Sequence, residues 1–303
     1  MKAWAAKLVA SAALMAVMLW WTDTAAVFDR LASADWSWLV LSLAALTLAT
    51  LSMARRWQLT ARALDLRIGA HAAVREYYLA QLINVLLPGG VMGDVGRAVR
   101  VRGRATLARA GQSVAAERLM GQVAMFGILA AGLLGAAVVP GGIDWPGAVW
   151  AILIALPLIC AAALWGARRI EATRSFPLLL VRLLRHRGIV LHAIMGAGLL
   201  ILALYACARA TGSVVPPVGW FTILPLVFCA MLVPLSIAGW GWREGAAAAL
   251  FPLVGLGADA GVAMGICYGA MMLVSALPAL VFLWMPPRGN REAAAASEGA
   301  SPS

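Results

Sequence analysis

The chain has 303 residues, 63% of them hydrophobic and 12% charged, with a mean hydropathy of +0.88 and a formal net charge of +11. Ordinary soluble domains are about half apolar and about a quarter charged, so a soluble enzyme, which must coat its core with charged groups, is excluded. The bases sit in short clusters between apolar runs, a pattern of membrane topology and anionic headgroups rather than of nucleic acid.

In chain order, the first apolar run is Ala3–Trp21, beside Lys2 and Lys7. It reads as a membrane span or, with the small residues Thr24-Ala25-Ala26 behind it, as a cleavable signal peptide. Trp36–Met53 is a second run long enough to cross about 30 Å of hydrocarbon. Val74–Arg97 is apolar but broken at Pro88, Gly89 and Gly90. Ser113–Pro140, Pro146–Trp165 and Ile189–Ala208 follow as spans, with the basic stretch Arg174–Arg187 between the last two reading as an interfacial amphipathic helix facing anionic lipid. Trp220–Phe251 is broken between Pro234 and Glu244, and Ala258–Met285 is the last span. Gly261, Gly265 and Gly269 recur on it every four residues, a spacing for close helix packing. The expected fold is an all-α integral membrane protein: about six full spans and two broken hairpins in one membrane domain, residues 1–285, then a disordered tail, 286–303.

Orientation follows from the bases. Twenty fall in loops that would share one side, and only Arg30 and Arg209 fall opposite. The positive-inside rule makes the rich side, with both termini, cytoplasmic. The loops flanking the first broken segment are both basic, so it enters and leaves from the cytoplasm. Those flanking the second have no Lys or Arg, so it enters from outside. Two re-entrant hairpins then point at each other.

Those hairpins also carry an internal repeat. Pro88-x4-Gly93-x3-Arg97 recurs as Pro234-x4-Gly239-x3-Arg243, 146 residues on. The element order recurs too, across residues 3–140 and 146–285. Each half crosses three times, which makes the repeat inverted, as in secondary transporters. Hairpins that merely pack a bundle are the plainer alternative.

Helix breaks expose backbone N–H groups that lipid cannot satisfy. Returning half-helices opening at Gly93-Asp94 and Gly241-Trp242 present positive dipole ends beside Arg97 and Arg243, an arrangement suited to phosphate or another anion. Charges inside apolar helices are costly and seldom idle. Glu117 and Arg118 either snorkel to the interface or join Asp94, Arg97, Arg243 and Glu244 around a central polar cavity. Neighbours on a helix diverge by about 100°, so Glu117 and Arg118 each require a partner elsewhere. The four cysteines lie in apolar runs without metal or disulfide spacing, and no nucleophile, metal or phosphate-loop motif is visible. A non-enzyme without metal or cofactor is expected.

These residues resemble the lysylphosphatidylglycerol synthase transmembrane-region family, the flippase-like membrane domains. The resemblance rests on Asn84-x3-Pro88-x4-Gly93-Asp94-x2-Arg97, then Glu117-Arg118, then Pro234-x4-Gly239-x-Gly241-x-Arg243-Glu244-Gly245, and runs from about Trp36 to Trp284. It implies a lipid-translocating domain of the bacterial inner membrane, its polar site built from those residues, Asn84 included. Arg97 and Arg243 would hold the headgroup from opposite sides, with Asp94, Glu117 and Glu244 orienting or proton-coupling them. Well-known members carry a soluble aminoacyl-transferase domain after the membrane region, whereas only Pro286–Ser303 follows here, so lipid aminoacylation is not expected. Stand-alone members are associated with phospholipid, glycolipid, polyprenyl-carrier or hopanoid pathways. The rival reading is a scaffold that presents lipid to a membrane glycosyltransferase or synthase.

Overall fold

The computed structural model describes residues 22–87, 90–101, 106–138, 174–231 and 239–284, with scattered positions between 147 and 169. Its regular structure among the described residues is helical. Twelve α-helices are used below: α1 Thr24–Ala32, α2 Trp36–Arg62, α3 Ala70–Leu86, α4 Met92–Val101, α5 Leu107–Val138, α6 Phe176–Leu184, α7 Arg187–Ala210, α8 Pro217–Phe221, α9 Ile223–Ala230, α10 Trp242–Leu250, α11 Ala258–Ala276 and α12 Pro278–Trp284. Among the described residues, four stretches are long and apolar enough to cross a membrane: α2, α5, α7 and the continuous run Ala258–Trp284. The expected spans Ala3–Trp21 and, apart from scattered positions, Pro146–Trp165 lie outside the described residues, as do Pro88, Gly89, Pro234, Cys160 and the tail.

Local signals set the helix starts. Asp35 accepts the Ser37 N–H (2.8 Å) and hydroxyl (2.5 Å), capping α2, and Asp23 caps α1 through the Ala26 N–H, as short acceptors do for orphan helix donors. That hydrogen bonding holds the Asp35 carboxyl below its ordinary range. Where α2 ends, the Leu66 N–H bonds back to the Ala61 carbonyl across Asp65, whose φ is 60°.

Two expectations change here. α1 was not legible as an element, and α2 runs nine residues beyond Met53 to Arg62. Arg55 and Arg56, expected beyond the end of this span, are therefore helical, while Arg97 and Arg100 lie on α4, where a returning half-helix was expected. Arg56 is only 4% exposed. The hydropathy pattern ended α2 at its first charges, but charges buried against carboxylates can continue a helix.

The core forms along small and polar seams, because lipid tails are as apolar as leucine and association rests on close packing and hydrogen bonds. α2 and α7 run antiparallel, joined at successive depths: Asp35 N–H to the Ala210 carbonyl (3.0 Å), Ser42 hydroxyl to that of Ala203 (3.1 Å), Ser52 hydroxyl to that of His192 (3.1 Å). Leu129, Leu133, Leu204, Ile223 and Leu224 fill the space between them and α5 and α9. Leu191, Ile194, Val40 and Leu134 point outward, as lipid-facing residues do.

Among the described residues, each of the two segments expected to be broken holds two helices, α3 and α4 in the first and α9 and α10 in the second. In the first, α3 and α4 lie antiparallel, so closely that a Cβ built on Gly93 would fall 2.7 Å from the Ala80 Cα and carbonyl carbon. In the second, α10 begins after Gly241, whose φ is 86°, a conformation that favours glycine. Its partner is α11. Gly261, Gly265 and Gly269 face Ala247, Glu244 and Arg243 in turn; the glycine spacing sets the approach of these helices.

Candidate functional site

The centre of the charge system is Glu117 on α5. It is 0% exposed. Its Oε1 accepts the Arg56 Nε (3.0 Å) and Nη2 (2.5 Å) and the Tyr77 hydroxyl (3.1 Å), and its Oε2 accepts the Arg97 Nη2 (3.2 Å). Glu117 thus turns inward and does not snorkel. It sits ten residues into α5, about 15 Å along the axis at 1.5 Å per residue.

Asp94 opens the second tier. Its Oδ1 accepts the Arg97 Nη2 (2.9 Å), and its Oδ2 accepts the Asn84 Nδ2 (3.2 Å) and the Arg118 Nη2. Asn84 in turn accepts the Gly93 N–H (2.8 Å). One amide side chain therefore satisfies a donor at the start of α4 and steers the carboxylate next to it. Arg118 also reaches the Gly90 carbonyl (3.4 Å), tying the break itself to α5.

Arg97 is 0% exposed, its guanidinium 4.4 Å from the Trp57 ring centre and 4.5 Å from that of Tyr77. Its Nε and Nη1 have no hydrogen-bond partner among the described residues. The aromatic faces hold them instead, an attraction of about 2 kcal/mol when desolvated. Arg97 is thus a clamp between α2, α3, α4 and α5, behind the wall of the site.

That wall encloses a cavity of about 350 Å³, lined from both broken segments: Asn84, Gly90 and Asp94 from the first, Phe228, Met231 and Gly239 from the second. Arg56, Tyr77, Glu117 and Arg118 form its charged end, Thr50, Gln81 and Gln122 add polar groups, and Leu46, Met53, Met125, Phe126, Leu200 and Met272 make the rest apolar. Arg118 is the arginine of the cluster with an open side chain, 46% exposed against 0% for Arg97 and 4% for Arg56. Three guanidinium groups face two carboxylates, Asp94 and Glu117, which leaves one positive charge in surplus.

Arg243 and Glu244 form a separate pair. Both are buried; Glu244 Oε1 accepts the Arg243 Nε (3.0 Å) and Nη2 (2.5 Å) while Oε2 accepts the Gly241 N–H (2.7 Å). Arg243 lies over the rings of Trp240 and Tyr268. Tyr268 lines the cavity and Arg243 does not. The single network of six charges expected from the sequence is thus two clusters flanking one cavity. Neither Arg97 nor Arg243 lies on its wall. Adjacent residues do pair here, because the first turn of α10 turns Glu244 back to cap Gly241 and Arg243 folds over it.

Sequence reasoning missed Arg56 and Tyr77. Each had a signal. Arg56 continues the buried small and polar stripe Ala45, Ala49 and Ser52 on α2, and Tyr77, Gln81 and Asn84 share one face of α3 at helical spacing.

Long apolar helices around a buried ion-pair cluster and a two-sided cavity define an all-helical, multi-pass membrane protein with a polar site within its bundle. Residues 4–279 match the family model described as lysylphosphatidylglycerol synthase TM region. The chain belongs to that family, and its setting is the membrane lipid. No curated protein and no solved structure matches it.

Proposed function

We propose that this protein moves an anionic or phosphate-headed lipid between the leaflets of the bacterial inner membrane, with the cavity as the headgroup site. The observation that carries the reading is Arg118, the exposed arginine of a cluster with one more guanidinium than carboxylate, standing on the wall of the cavity. A single anionic headgroup would complete the balance and take a bidentate contact. The apolar remainder suits the first carbons of an acyl or prenyl chain.

In this reading Arg118 binds the headgroup, Asn84 and Asp94 orient Arg118, and Arg56, Arg97 and Glu117 hold the wall. Arg243 and Glu244 fix the second break opposite. The antiparallel run of α2 and α7, equivalent elements of the two halves, supports an inverted repeat with re-entrant hairpins, and such a repeat supplies two exchangeable facing states. The reading is of transport without chemistry on the lipid, with both termini cytoplasmic.

The test is transbilayer movement of fluorescent lipids in proteoliposomes, phosphatidylglycerol against phosphatidylcholine. Wild-type protein is expected to move the anionic lipid and Arg118→Gln to lose most of that movement while staying folded. Equal movement by Arg118→Gln overturns the reading. Lipid bound by the wild type but never moved gives the scaffold reading instead.

A further inference from the structure

α6 is a separate surface, distinct from the cavity. Its inner side buries Pro177, Leu180 and Leu183. The two leucines pack against Ala116 and Met120 of α5 and Ile189 of α7. Its outer side carries Leu178, 72% exposed, and Val181, 49% exposed, interleaved with Arg182 and Arg185. Arg174 precedes the helix and Arg187 follows it, and all four arginines are exposed. Among the described residues none of the four enters an ion pair, whereas Arg30, Arg56, Arg75, Arg97, Arg100, Arg118 and Arg243 all do.

An outward helix face with leucine and valine between exposed arginines is poorly suited to water and poorly suited to hydrocarbon. It suits the boundary between them. There the apolar groups enter the upper acyl region while guanidinium groups reach phosphate oxygens, and each base near an anionic surface contributes about 1 kcal/mol. We propose that α6 with Arg174 and Arg187 is a second lipid site, a platform for the headgroups of anionic phospholipids of the surrounding leaflet. It is placed to act on the cavity as well. Ala116 and Met120, which receive its leucines, flank Glu117 and Arg118 on α5, so lipid seated on α6 braces the segment that carries the site.

The test uses the full chain in a neutral detergent with short-chain phosphatidylglycerol or phosphatidylcholine, bound lipids being counted by native mass spectrometry. All proteins carry Arg118→Gln, so that cavity binding is removed and the outcome does not depend on the transport reading. Phosphatidylglycerol is expected to bind more tightly than phosphatidylcholine. Arg182→Gln, Arg185→Gln and Arg187→Gln together should weaken it roughly a hundredfold, about fivefold per arginine. The same three changed to lysine should stay within a few-fold of the parent, since the charge is kept. Excess inorganic phosphate should not displace the lipid. Unchanged binding in the glutamine variant overturns the proposal, as does equal loss in the lysine variant or displacement by phosphate.

Discussion

Gly93→Ala isolates the packing that builds the site. A Cβ there would lie 2.7 Å from two carbons of the Ala80 backbone and nearer still to its oxygen, where real Cβ contacts essentially never fall under 3.0 Å. Backbone cannot swing aside as a side chain can, so α4 must back away from α3. Overpacking of this kind costs about 1–3 kcal/mol. The same movement stretches the 2.8 Å bond from the Gly93 N–H to Asn84, and an unsatisfied buried donor costs about 1–3 kcal/mol more. Asp94, the next residue, moves with the helix and releases Arg118. A matched control exists on α5, where a Cβ on Gly132 would fall 2.6 Å from the Phe221 carbonyl carbon, away from the cavity wall. Thermal unfolding in detergent and binding of short-chain phosphatidylglycerol are measured on the same preparations, all carrying Arg182→Gln, Arg185→Gln and Arg187→Gln so that binding at the cavity is what is read. Both variants are expected to lose stability, and only Gly93→Ala to lose anionic lipid binding beyond its unfolded fraction. Wild-type binding by Gly93→Ala, or equal loss by Gly132→Ala, would refute the link between the α3–α4 contact and the site.

Glu117→Gln leaves Arg56 and Arg97 buried without their shared carboxylate and should cost about 3–5 kcal/mol, read as a lowered midpoint of thermal unfolding. Gly261→Ala places a Cβ 2.5 Å from the Ala247 backbone and should destabilise by about 1–3 kcal/mol. Gly198→Ala, in α7 with nothing within 4 Å of the new methyl, should instead stabilise by up to about 1 kcal/mol through helix propensity. Because folding lowers the Asp35 pKa through Ser37, its cap contribution is present above the ordinary carboxylate range and lost as pH falls through the lower folded value. Asp35→Asn, which keeps an acceptor, should flatten that part of the acid limb of a stability-against-pH curve.

Much of the frame was legible because membrane helices announce themselves by length and hydropathy. The glycine spacing on α11 marked a face for close helix packing, and Gly90 and Gly239, expected as break residues, both line the cavity. What was not legible is where charge pairs. Arg56 stands just past the end of an apolar run and Arg97 beside a helix break, and the carboxylate they share lies far along the chain. Glu117 is 61 residues from Arg56 and 20 from Arg97. No periodicity spans such gaps. Arg97 and Arg243 seemed to be ligand-binding residues by their places in the repeat, yet aromatic rings and neighbouring acids occupy them. The open arginine, Arg118, stands outside the repeated pattern.

The difference in exposure between Arg118 and Arg97 has an evolutionary consequence. Arg97 and Glu117 are each held by several helices, so a change at either disturbs the whole assembly. Position 118 has one carboxylate and one backbone carbonyl as its partners. A substitution at position 118 should therefore be felt at the cavity and one at position 97 in folding itself, so the two arginines, close in space, would be kept by separate selective pressures.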